Sequence, residues 1–90
     1  MYKIVFTPQA KDDLLRLQKS EPKAFKKAER FIEELRVHPT TGTGHPEPLR
    51  GNRSGQWSRE ITKKHRMVYE IFETEIHVDV VSAYGHYGDK

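Results

Sequence analysis

The apolar residues of this chain change period partway along it: three- and four-residue steps up to residue 35, two-residue alternation from residue 56. The first period is that of an amphipathic helix and the second that of a strand with one buried face. Residues 2–6 alternate Tyr2, Ile4 and Phe6 with Lys3 and Val5, a short strand pattern. Thr7-Pro8 then supplies an N-cap and a proline in the first helical turn, where a missing N–H costs nothing. Ala10, Leu14 and Leu17 form one stripe with Leu15 at its edge, and Ser20-Glu-Pro22 breaks and restarts the helix. Ala24, Phe25, Ala28, Phe31, Ile32 and Leu35 continue at helical spacing, and the helix is predicted to stop near His38 because Pro39 disfavours helical geometry before it. Thr-Thr-Gly-Thr-Gly follows as a loop.

Trp57, Arg59 and Ile61 then alternate, followed by Met67, Tyr69 and Ile71 opposite Arg66, Val68, Glu70 and Phe72. A third run, Ile76 to Val81, lies one hairpin turn further on, after Glu73-Thr-Glu75. Helices grouped before mainly antiparallel strands predict an α+β fold. It has a short N-terminal strand, a two-helix hairpin and an antiparallel β-meander, with the helices packed on one sheet face. Residues 1–90 are expected to form a single domain with a small core, better suited to a surface cleft than to a deep pocket.

The charge is unevenly placed. Residues 45–66 carry six basic residues (Arg50, Arg53, Arg59, Lys63, Lys64 and Arg66) against Glu47 and Glu60, a local +4. The rest, with ten basic and eleven acidic residues, sums to −1. A concentrated basic segment suits a surface that attracts phosphates, and an ordinary solvated face explains it equally well. There is no cysteine. That excludes disulfides, cysteine nucleophiles and thiolate zinc sites, and fits a reducing cytoplasm. No apolar run approaches the roughly 20 residues of a membrane helix, and no secretory signal pattern opens the chain, so a soluble cytoplasmic protein without membrane association is expected.

Within the basic segment stands Pro46-Glu47-Pro48. Two restricted flanks hold the carboxylate with little loss of backbone entropy, which suits a general base; a rigid loop with a solvated glutamate is the alternative. Arg59 and Arg66 lie inside strand-like runs. From a rigid strand a guanidinium can bind phosphate oxygens bidentately and stabilise a pentacovalent transition state. Either could instead face solvent or pair with Glu60 or Glu70. Arg50 and Arg53 resemble backbone-phosphate contacts, and Lys63, Lys64 and His65 extend the same basic surface. His86 can protonate a leaving alkoxide near neutral pH, and Tyr87 offers a ring for base stacking. His65, His77, His45 and His38 are weaker candidates.

Sharper motifs are incomplete. His45-Pro-Glu47 matches half of a deaminase zinc signature whose cysteine pair is absent. Gly42-Thr-Gly44 lacks the third glycine and preceding strand of a dinucleotide loop. Neither metal nor cofactor is expected, and Ser54 and Ser58 have no triad partners. Glu47, Arg59, Arg66 and His86 together provide a base, two phosphate-stabilising cations and an acid. That set can cleave RNA by activating the 2′-hydroxyl against its neighbouring phosphate, a route DNA lacks.

Gly-x-Gly-x-Pro-Glu-Pro-Leu (Gly42 to Leu49), Ser-Gly-x-Trp-Ser-Arg (Ser54 to Arg59), Ile61-Thr62, His65-Arg-x-Val-Tyr69 and His86-Tyr87 stand in the order found in one toxin group. Over nearly its whole length, including Asp12-Asp13 and the helical hairpin, the chain resembles the YoeB/Txe toxins of the RelE superfamily. The resemblance implies a RelE/ParE-like fold and an mRNA endonuclease of a type II toxin–antitoxin module, cutting messages in the ribosomal A site. It matches Glu47 to the general base, Arg66 to the transition-state stabiliser, His86 to the acid, Tyr87 to a substrate-orienting residue and Arg59 to a nearby basic residue. It also implies an acidic antitoxin that folds over the toxin, operator DNA contacted only through that complex, and homodimers. Arg50 stands where relatives often have lysine, Tyr84-Gly85 where some have Arg-Tyr, and Gly88-Asp89-Lys90 extends beyond the usual end. A ParE-like gyrase-binding toxin and a degenerate toxin acting only as an antitoxin-bound co-repressor are the alternatives.

Overall fold

A computed structural model describes residues 1–85. Strand β1 (Lys3–Phe6) passes through Thr7 into helix α1 (Pro8–Ser20). Thr7 Oγ1 accepts from the Ala10 N–H at 3.0 Å and donates to the Val81 carbonyl at 2.7 Å. One hydroxyl therefore caps the helix and ties its start to the last strand. Only Glu21 separates α1 from α2 (Pro22–Leu35), because Pro22 bars helical geometry at Glu21, which adopts φ −143° and ψ 72°. The expected hairpin forms. Its second helix ends at Leu35, three residues before the predicted stop, because the N–H groups of Arg36 and Val37 reach back only three residues, to the Glu33 and Glu34 carbonyls. The last turn tightens before Pro39 can act.

Beyond the loop come β2 (Glu47–Pro48), a 3₁₀ turn (Gly51–Arg53), β3 (Gln56–Glu60), β4 (Arg66–Phe72) and β5 (His77–Ser82). Among the described residues the strands form one sheet in the order β1-β5-β4-β3-β2. The antiparallel β3-β4-β5 meander and the α+β class agree with the sequence pattern. Two placements do not follow from it. β1 lies parallel to β5, with Ile4 opposite Val78 and Phe6 opposite Val80. Pro46-Glu47-Pro48 is not simply a loop, since Glu47 and Pro48 pair with Ser58 and Trp57 at the sheet edge. An edge tolerates Pro48 because no outer neighbour needs its N–H.

Ala10, Leu17, Ala24, Ala28, Phe31 and Leu35 from the helices close over Met67, Tyr69, Val78 and Val80 from the sheet, with Ile61 and Ala83 beside them. The helices occupy one face, leaving the other to carry polar chemistry. The loop from residue 36 to 46 crosses back over Phe31 at Gly44, whose φ is +83° and whose Cβ, if present, would lie 2.4 Å from Phe31 Cζ. Gly44→Ala is therefore expected to destabilise the fold by about 2 kcal/mol or more, from overpacking combined with an unfavourable backbone region. Urea denaturation measures this, and wild-type stability would contradict the packing described.

Candidate active site

Residues paired across antiparallel strands share a sheet face, as do residues two apart on one strand. Glu47 pairs with Ser58, Ser58 with Val68, and Glu60 with Arg66. Glu47, Ser58, Glu60, Arg66 and Val68 thus share one face, opposite the Met67 and Tyr69 that pack under the helices. The backbone turns through His45 at φ +50° before Pro46 delivers Glu47 to the edge. Glu47 is exposed there. It joins Pro48, Leu49, Arg50 and Arg53 around a shallow groove of about 350 Å³. Arg53 Nη1 donates to Gln56 Oε1 at 3.2 Å, which anchors the guanidinium at the groove wall.

Arg66 opens β4. Its Nη2 lies 3.7 Å from Glu60 Oε1, the ion pair offered as one alternative by the sequence. Its backbone N–H donates to the Gly85 carbonyl at 2.9 Å. The chain is thus brought to the start of β4 immediately before His86 and Tyr87, which lie outside the described residues. Lys63 and Lys64 are exposed in the turn leading into Arg66. Ser58, set aside above for want of triad partners, sits between Glu47 and Val68. Its hydroxyl is buried and makes no hydrogen bond among the described residues. Only the β2–β3 register reveals that placement. Among the described residues no group of three or more His, Cys, Asp or Glu side chains could hold a metal ion.

Two expected phosphate contacts are corrected. Arg59 is fully buried, with Nε donating to Tyr69 Oη (3.2 Å), Nη1 to Glu34 Oε1 (2.6 Å) and the Thr43 carbonyl (3.2 Å), and Nη2 to the carbonyls of His38 (2.7 Å) and Thr41 (2.8 Å). Every guanidinium nitrogen serves the fold, so none can reach a phosphate. Tyr69 Oη donates in turn to the Pro39 carbonyl at 2.7 Å. Together these residues hold the loop that leads to Glu47. His65 is also buried, with its two ring nitrogens engaged by Glu21 and by the Gly85 N–H.

Burial opposes ionisation of Glu34, yet hydrogen bonds from the Thr43 side chain and backbone and from Arg59 outweigh it and hold its pKa below the ordinary value. A carboxylate depressed in the folded state contributes stability present above its unfolded pKa, about 4.3, and lost as pH falls through the folded value. The unfolding free energy should therefore drop as the solution is acidified below about pH 4.3, and Glu34→Gln should flatten that drop. Denaturant titrations across this window measure it; an unchanged slope in the variant would contradict the assignment.

The family model described as "YoeB-like toxin of bacterial type II toxin-antitoxin system" matches residues 6–87. The chain belongs to the YoeB-like toxin family. It is 38% identical to Toxin YoeB of Escherichia coli K12 over 74 residues, which covers 82% of this chain and 88% of that protein. A YoeB/ParE toxin from Agrobacterium tumefaciens superposes with a TM-score of 0.88 at 34% identity, over 94% of this chain and 99% of that one. The Staphylococcus aureus YoeB dimer gives a TM-score of 0.82 at 33% identity (96% and 98% covered). The YoeB-YefM complex of the same organism gives 0.82 at 32% identity (97% and 99% covered). No helix of this YoeB-like toxin is long and apolar enough, among the described residues, to cross a membrane.

Proposed function

We propose that this YoeB-like toxin is a ribosome-dependent mRNA endoribonuclease, formed as one toxin domain over residues 1–90, that cleaves in the A site by 2′-hydroxyl attack without a metal. The observation that carries the proposal is the common sheet face of Glu47 and Arg66, opposite the helices and bordered by the groove of Arg50 and Arg53. Glu47 takes the 2′-hydroxyl proton and O2′ attacks the adjacent phosphorus. Arg66 offsets the additional charge of the pentacovalent species, and His86 protonates the departing 5′-oxygen. Tyr87 orients the message. The products are a 2′,3′-cyclic phosphate, which opens to a 3′-phosphate, and a 5′-hydroxyl end. Arg50, Arg53, Lys63 and Lys64 supply the electrostatic attraction to RNA.

Because a S. aureus relative has been solved with YefM and as a dimer, a cognate acidic antitoxin is the proposed protein partner and a homodimer a further state. Operator DNA is reached only through the antitoxin complex, and the site of action is the ribosome in the cytoplasm. The test is incubation of purified protein with programmed ribosomes, followed by mapping of cut positions and 3′-end chemistry. A-site cuts ending in a 2′,3′-cyclic or 3′-phosphate are expected. Gyrase poisoning without RNA cleavage, or antitoxin binding alone, would overturn the proposal.

A further inference from the structure

We propose that Glu21 and His65 form a positioning dyad that fixes Gly85 and thereby aims the chain carrying the general acid, an inference that rests on the assignment of His86 above. His65 Nδ1 accepts from the Gly85 N–H at 2.9 Å, so that nitrogen holds no proton. The ring is the neutral Nε2–H tautomer, donating to Glu21 Oε2 at 2.7 Å. The neighbouring residue completes the grip, since the Arg66 N–H donates to the Gly85 carbonyl at 2.9 Å. Both backbone polar groups of Gly85 are therefore held by consecutive residues, one of them the proposed transition-state stabiliser. Glu21 is itself fixed, as the single residue between two helices.

The two preceding residues are also held, Tyr84 in part by His65 itself. The Tyr84 ring lies 4.2 Å from the His65 ring, centroid to centroid, and 4.1 Å from the Arg16 guanidinium carbon. The Ala83 N–H donates at 2.9 Å to Asp13 Oδ2, a buried carboxylate whose other oxygen accepts from Gln9 at 2.7 Å. Acid catalysis needs its donor placed to within about 0.5 Å. Three consecutive anchors, on Ala83, Tyr84 and Gly85, hold the backbone as far as the residue before His86. A histidine suits the final one because a single ring offers an acceptor to Gly85 and a donor to Glu21.

The experiment compares single-turnover cleavage on programmed ribosomes of two messages, one with the natural 5′-oxygen at the cut bond and one with a 5′-bridging sulfur, whose thiolate departs without an acid. His65→Ala is expected to cleave the oxygen message about 100-fold more slowly, with little change in KM, and to recover most of that loss on the sulfur message. His86→Ala should behave alike, while Glu47→Ala stays slow on both. His65→Asn, whose amide oxygen can replace Nδ1 as acceptor, should retain most of the activity. If His65→Ala fails to fold, Gly85→Ala gives the same readout, because among the described residues its added Cβ meets no atom within 4 Å and the φ of +78° is disfavoured. Recovery on sulfur by His86→Ala but not by the His65 or Gly85 variant would overturn the dyad alone. Absence of recovery in His86→Ala would overturn the acid assignment beneath it.

Discussion

Glu47→Ala is expected to slow cleavage of ribosome-bound message by about 10²- to 10⁴-fold, the usual contribution of a positioned general base. Toxicity on expression should disappear with it. The fold should not change, because Glu47 is exposed on a two-residue edge strand, where substitutions ordinarily shift stability by no more than about 0.5 kcal/mol. Glu47→Gln should be as inactive as alanine, since an amide keeps the shape but cannot take the proton. The measurement is a single-turnover rate beside a denaturation curve. Full activity in either variant would remove Glu47 from the chemistry, and a large loss of stability would make it structural.

Arg59→Ala should produce the opposite pattern. Its side chain is wholly buried and joins Glu34, Tyr69 and the carbonyls of His38, Thr41 and Thr43. Removing one partner of such a network leaves the others unsatisfied, at a cost of about 3–5 kcal/mol. Domains are commonly stable by only about 5–15 kcal/mol, so much of the chain should be unfolded at modest denaturant. Arg59→Lys should recover little, because one ammonium cannot span acceptors arrayed around a planar guanidinium. Chemical denaturation measures the loss. A variant folded as stably as the wild type but weaker in RNA binding would restore Arg59 as a phosphate contact.

Arg59 also shows where the sequence was legible and where it was not. Its alternation with Trp57 and Ile61 already assigns it to the core face of β3. Charge argued for a wet face instead, since a buried arginine is tolerable only with acceptors that no local pattern displays. Those acceptors come from residues 38–43, more than fifteen positions away, together with Glu34 and Tyr69. The same holds for His65, whose partners Glu21 and Gly85 are separated from it by 44 and 20 positions. By contrast, Thr7-Pro8, Pro22 and the alternation at 67–71 act locally, and the helices and the meander follow from them. β1 is long enough to show its period but not its parallel partner. β2, at two residues, shows neither, so the edge placement of Glu47 emerges only from its register with Ser58.

In the proposed mechanism the message supplies its own nucleophile. The most direct measurement replaces the 2′-hydroxyl with hydrogen at the single nucleotide 5′ of the cut phosphate, in a message positioned on the ribosome, and follows cleavage of that bond by the wild-type protein. Cleavage at that bond is expected to disappear while binding of the message and protein is retained. Cleavage at the unmodified rate would contradict the mechanism.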